Sequence, residues 1–181
     1  NRKVLVDRLL NQYDNLITTS NKIDETVQSS IKKISDENTF TVTTGHQLNL
    51  FTGPLYSIFK IATTIKLAKE LQKSHPQNQF IPVFWMASED HDFAEINHTT
   101  MYGKNISWNR EANGPTGRLK LDGFETVLEE FKNLVGKEHE LVQFFTEAYG
   151  KSHNLAEATR KIIHHLFGKY GLVVIDGDDS E

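Results

Sequence analysis

Hydrophobic positions along this chain change their spacing several times, and each change marks an element. Val6, Leu9, Leu10, Tyr13, Leu16 and Ile17 share one helical face within residues 2–17. Ile23, Val27, Ile31 and Ile34 do the same within residues 22–34. Thr18-Thr19-Ser20-Asn21 between them is capping and turn chemistry. The pattern predicts a helical hairpin, an N-terminal arm over residues 1–38 packed on the core or on a partner chain and carrying no evident chemistry. Phe40, Val42 and the threonines around it then suit a half-buried strand that Gly45 stops. Thr52 is the expected N-cap and Pro54 the first-turn proline of the next helix. Leu55, Ile58, Phe59, Ala62 and Ile65, widened by Ile61, Ala68 and Leu71, predict a helix buried over much of its circumference. It ends near Ser74-His75-Pro76.

Phe80 to Ala87 is a continuous apolar run, the mark of a strand covered on both faces in a parallel sheet, with Pro82 tolerable near its start. Residues 39–87 therefore read as a right-handed βαβ unit. Thr99–Trp108 and Gly117–Leu121 read as short strands of a hairpin or flap around Asn113-Gly114-Pro115-Thr116-Gly117. Three helices follow, with stripes ending at Gly136, Gly150 and Gly168, the third opened by the capping-box-like Asn154-Leu155-Ala156-Glu157. Their aromatic stripes read as core, and His164 and His165 as structural or solvated. Gly171 to Asp176 predicts another buried parallel strand. The expected fold class is α/β. Segments 39–102 and 154–181 carry the sheet, and 103–153 forms an inserted subdomain of hairpin and helices. The start at Asn1 in mid-pattern, and the end on acids just after a strand, predict a fragment whose sheet continues elsewhere.

Bulk composition narrows the classes. The 181 residues, 38% hydrophobic and 24% charged, suit one sizeable globular core. A net charge of −4 without a Lys/Arg-rich run argues against nucleic acid as a partner. The chain has no cysteine, which removes disulfides, Cys-ligated zinc and a thiol nucleophile. With no leader-like or membrane-spanning apolar run, a cytoplasmic protein without a membrane partner is expected.

Candidate chemistry gathers at the carboxyl ends of the two predicted parallel strands, where open α/β sheets bind ligands. The first turn offers His46, Gln47 and Asn49 beside a helix N-terminus, with Gly45 and Gly53 allowing close backbone approach. The second offers Glu89, Asp90, His91 and Asp92. Three readings stay open there. One is acid/base work or ammonium binding by a histidine among carboxylates, another a hard-metal site, the third a solvated loop with Asp92 capping a short helix. No metal is assigned. Arg118 could reach an anionic ligand, and Asp176 could hold a hydroxyl or an amine. Dinucleotide and P-loop fingerprints are absent.

The motifs Thr44-Gly45-His46-Gln47, Leu50-Phe51-Thr52-Gly53-Pro54-Leu55-Tyr56, Trp85-Met86-Ala87-Ser88-Glu89-Asp90-His91-Asp92, Gly114-Pro115-Thr116-Gly117-Arg118 and Gly171 to Asp176 resemble, in order, those of the bacillithiol-synthesis cysteine ligase family. The resemblance runs from about Thr41 to the C-terminus and adds Trp85 to the candidate binding residues. It implies a cytoplasmic ligase joining L-cysteine to glucosaminyl-malate. It also implies a Rossmann-like, nucleotidyltransferase-like core and a longer protein that dimerises through a coiled coil. Related enzymes carry His-x-Gly-His at the first turn, where this chain has Gly45-His46-Gln47-Leu48.

Amide formation from a carboxylate needs activation, for which ATP is the candidate; the cofactor itself stays open. The implied catalytic set is His46, His91 and Asp90. His91 or a flanking carboxylate takes the amine proton, and His46 with the helix N-terminus stabilises charge on the activated acid. Two alternatives remain: an adenylating enzyme acting on another small acid, and a ligand-binding scaffold without catalysis.

Overall fold

The computed structural model describes residues 2–14 and 25–179. Leu16, Ile17, Ile23 and the expected turn at Thr18–Asn21 lie outside them. In chain order the elements are α1 (Arg2–Asp14), α2 (Glu25–Lys33), β1 (Thr39–His46), α3 (Leu55–Ser74), β2 (Gln79–Met86), α4 (Phe93–Ile96), β3 (His98–Met101), β4 (Lys104–Ser107), α5 (Phe124–Val135), α6 (Glu140–Gly150), α7 (Leu155–Phe167) and β5 (Val173–Asp176).

β1, β2 and β5 form a parallel sheet in that order, so the α/β expectation holds. β5 begins pairing at Val83, which leaves Pro82 beyond its end, where a missing N–H costs no ladder bond. Gly45 does not stop β1. The ladder continues through Gly45↔Trp85 and His46↔Met86. A Cβ at Gly45 would stand 3.2 Å from the Trp85 carbonyl oxygen, so the glycine lets the two strands close up.

α1 and α2 are part of the core. Leu9, Tyr13, Val27 and Ile31 belong to the same buried cluster as Val83 and Phe84 of β2, Phe124 of α5, Phe145 of α6 and Val173 of β5. Tyr13 is sealed against β5: its hydroxyl accepts from the Val174 amide at 2.8 Å. Gln12 accepts from the Asp176 amide at 3.3 Å. Two helical side chains thus satisfy β5 amides that would otherwise be an open sheet edge. Burial pushes the Tyr13 hydroxyl up to about 12, so it stays protonated.

Three further expectations change. Thr52 is not a cap: it carries φ 75, Pro54 takes the N-cap position, and Ser57 Oγ donates to the Thr52 and Pro54 carbonyls. α3 buries only a narrow stripe, Ile61, Thr64, Ile65 and Ala68 with Ser57, against β1 and β2. Leu55 and Phe59 are exposed, because a three-stranded sheet covers one side of a helix. The hairpin is β3–β4, turning at Tyr102–Gly103 with φ 51 and 74. Residues 113–118 instead run back to the main sheet, where the Thr116 and Gly117 amides donate to Asp90 and Ser88 carbonyls at 2.7 and 2.9 Å. A Cβ at Gly117 would lie 2.5 Å from that of Ser88, so only glycine fits. α7 opens as its capping box predicts, Asn154 Oδ1 accepting from the Glu157 amide at 2.8 Å. It closes at Gly168 as expected, the Gly168 amide donating to the His164 carbonyl, and a 3-10 turn then leads to the left-handed Gly171.

Candidate functional site

Phe51 fixes the first turn. It sits at φ 50, stacks on Phe131 at 4.5 Å, and donates its amide to Tyr149 Oη at 2.9 Å. Phe145 meets it edge-on at 5.2 Å. A residue expected in a polar turn is therefore the plug of an aromatic cluster shared with α5 and α6. Gly53, at φ 65, would place a Cβ 2.3 Å from that of Asn49, so its role is closing this loop.

His46 ends β1 with its ring edge-on to Tyr56 at 6.3 Å. Its Nδ1 accepts from the Gln47 amide at 2.9 Å, which puts the neutral ring's proton on Nε2. That Nε2 is buried and has no hydrogen-bond partner. Burial, with the Lys60 charge second, holds the imidazole below its ordinary range, so His46 is neutral at neutral pH. Lys60 donates to the Gly45 carbonyl.

Gln47 joins the first turn to the second, its Nε2 donating to Asp90 Oδ2 at 3.0 Å and Glu95 Oε2 at 2.8 Å. Asn49 reaches only the Glu95 carbonyl, at 3.5 Å. Asp90 Oδ1 accepts from the Asp92 amide at 2.9 Å. That bond, then the one from Gln47, keeps the Asp90 carboxyl below the usual carboxylate range. Asp92 caps α4, accepting from the Glu95 amide at 3.2 Å. The imidazole of His91 is exposed and adjoins Asp90. Trp85, 41% exposed, donates to Glu89 Oε1 at 3.2 Å. Glu89 also lies against Gly177, where a Cβ would stand 2.2 Å from its Oε2. Among the described residues no group of three or more His, Cys, Asp or Glu side chains could hold a metal ion, so the hard-metal reading lacks a ligand set there.

Arg118 and Asp176 belong to a different part of the edge. They line a cavity of about 600 Å³ with Ser88, Arg8, Gln12 and Arg160, apart from His46 and His91. Ser88 Oγ bonds Asp176 Oδ1 and accepts from the Asp178 amide at 3.0 Å. Arg8 and Gln12 went unseen because a polar face on an amphipathic helix reads as solvated. Arg160 had a signal: it lies between Ala156 and Ile163 on a second apolar face of α7, all three buried.

The chain is similar over residues 1–181 to the family described as bacillithiol biosynthesis BshC, N-terminal Rossmann-like domain. Proteins named "Putative cysteine ligase BshC" are similar as well. The one from Flavobacterium psychrophilum is 48% identical over 180 residues, covering 98% of this chain and 33% of the relative. That from Flavobacterium johnsoniae is 46% identical over 184 residues, 100% of this chain and 34% of the relative. That from Cytophaga hutchinsonii is 48% identical over 180 residues, 99% and 32%. The chain spans about a third of the length of these curated relatives.

Proposed function

This chain belongs to the BshC family of bacillithiol biosynthesis, and from that premise we propose that the whole protein is a ligase joining L-cysteine to glucosaminyl-malate to give bacillithiol. The new bond runs from the cysteine carboxyl carbon to the amine nitrogen; a carboxyl oxygen leaves and the amine gives up a proton. The observation that carries the site assignment is the Gln47 bridge, which makes the turns after β1 and β2 one polar surface beside the buried, unpartnered Nε2–H of His46.

In this reading the neutral His46 donates from Nε2 to negative charge on the activated acid. His91, exposed beside the ionised Asp90, takes the amine proton. Asp90 serves by position, since both its oxygens already accept hydrogen bonds. The orphaned Nε2–H, the Lys60 ammonium and the opening turn of α3 fit the phosphates of ATP, which when bound supplies the activation of the carboxylate. Location in the cytoplasm and pairing of two copies through a coiled coil belong to the same proposal and rest on the family resemblance.

The test is thiol profiling of cells lacking the native gene, complemented with the full-length protein or its His46→Ala/His91→Ala variant. The ligase and its site both stand if only the variant loses bacillithiol and accumulates glucosaminyl-malate. Restoration by both removes the site; restoration by neither removes the ligase reading.

A further inference from the structure

The turn that carries Asp90 and His91 is held by three segments outside its own strand. The Ala87 amide donates to the His46 carbonyl at 3.0 Å, which sets the turn against the end of β1. The Ser88 and Asp90 carbonyls accept from the Gly117 and Thr116 amides at 2.9 and 2.7 Å. The Ser88 hydroxyl reaches the third segment, the turn after β5. There it donates to Asp176 Oδ1 and accepts from the Asp178 amide at 3.0 Å. Ser88 is fully buried, so these bonds are shielded from water.

Arg118 closes the last two ties into a ring. Its Nε and Nη2 both donate to the Asp178 carboxylate, Nη2 at 2.8 Å. The path runs from the Ser88 carbonyl to the Gly117 amide and along the chain to Arg118. It then crosses to the Asp178 carboxylate and returns from the Asp178 amide to the Ser88 hydroxyl. The Arg118 side chain is 65% exposed, and an ion pair open to water adds little to stability. A guanidinium held through two nitrogens nevertheless fixes direction as well as distance. The pair therefore contributes geometry more than free energy of folding.

We propose that Ser88, Arg118 and Asp178 are positioning residues for the reaction at the second turn, their ring fixing the backbone that presents His91 to the amine. This rests on the ligase reading above and deepens it: Arg118 serves the geometry of the site, its guanidinium spent on Asp178 and not on an anionic ligand. A misplacement of about 1 Å at a reacting group costs about a hundredfold in rate, so a pair of small energetic worth can govern turnover.

The test uses the full-length protein, in cells lacking the native gene and, purified, in hydrogen exchange and melting. Arg118→Asp should lower bacillithiol at least about tenfold at equal protein level, with glucosaminyl-malate accumulating. Exchange at the Asp90 and Asp92 amides should quicken at least about threefold, while the melting temperature moves by no more than about 2 °C. Arg118→Lys, which keeps the charge and loses the fork, should fall between. Arg118→Asp combined with Asp178→Arg should restore both bacillithiol and protection, because the ring closes again with its charges exchanged. Ser88→Ala should repeat the loss of Arg118→Asp; if it does not fold, the exposed pair alone decides. A loss that the exchanged pair fails to restore overturns the proposal, by making Arg118 a contact to substrate. Unchanged bacillithiol or unchanged exchange in Arg118→Asp overturns it as well, and leaves the ligase standing. Failure of the wild-type protein to restore bacillithiol brings down the ligase reading, and with it any positioning role in that reaction.

Discussion

Gln47 Nε2 donates to Asp90 Oδ2 at 3.0 Å, a bond between side chains 43 positions apart in the chain. It and the companion bond to Glu95 join the loops after β1 and β2. Gln47→Ala removes both bonds and a half-buried side chain whose partners stay open to water, so the fold should change by no more than about 1 kcal/mol. Loss of registry between His46 and the second turn should lower ligation by the full-length enzyme about tenfold to a hundredfold. Gln47→Glu should be worse, because it sets a third carboxylate against Asp90 and Glu95. Steady-state kinetics alongside a melting curve decides it: full activity in Gln47→Ala would show the bridge to be incidental.

The depressed imidazole of His46 has a consequence for stability. Its folded pKa lies below the unfolded value of 6.5, so between the two the unfolded chain binds more protons. Stability is therefore full above about pH 6.5 and declines as pH falls toward the folded pKa. Asp90 adds a second decline at lower pH, starting below its ordinary 3.8. Urea midpoints across this range should drop on acidification, and the upper part of the drop should shrink in His46→Gln. An unchanged profile in that variant would assign the drop to another group.

Tyr13 and Val174 offer a cleaner stability probe. The Tyr13 ring is fully buried and its hydroxyl satisfies a strand amide. Tyr13→Phe keeps the ring and leaves the Val174 amide without a partner, at a cost of about 1–3 kcal/mol. Hydrogen exchange at Val174 should quicken more than at Val83 on the central strand. Equal protection at both in the variant would mean that α1 does not seal this edge.

These pairs also show what a sequence discloses. β2 was legible from its continuous apolar run, and the capping box of Asn154 from four residues. The two polar turns were legible because parallel strands bring their carboxyl ends to one edge. The role of α1 was not, since nothing local tells that Tyr13 and Gln12 meet β5 amides more than 160 positions away. Gly45 and Thr52 misled for one reason: each carries a strong local preference, stop or cap, that cross-strand pairing and the Phe51 plug override. The cavity at the end of β5 hid because Arg8 looks like a solvated helix residue, while the place of Arg160 between Ala156 and Ile163 signals burial without saying what it faces.

The loop after β1 holds strain that can be measured. Phe51 and Thr52 both have positive φ, at 50 and 75, and a β-branched residue resists that region. The left-handed conformation costs about 1–2 kcal/mol per such residue. What holds it is the stacking of Phe51 on Phe131 and its amide bond to Tyr149. Thr52→Gly should then stabilise the protein by about 1 kcal/mol, the strain relieved exceeding the added flexibility of the unfolded chain. Phe51→Ala should destabilise it by about 3–5 kcal/mol, the loss of the plug being offset only in part by release of the Thr52 strain that it holds. In the double variant the strain at Thr52 is gone before the plug is removed, so no release offsets the loss and the second substitution should cost more than it does alone. Urea denaturation of the four proteins measures that coupling directly. Strict additivity would mean that the aromatic cluster and the strained backbone are independent, and that Phe51 does not set the conformation in which His46 and Gln47 are presented.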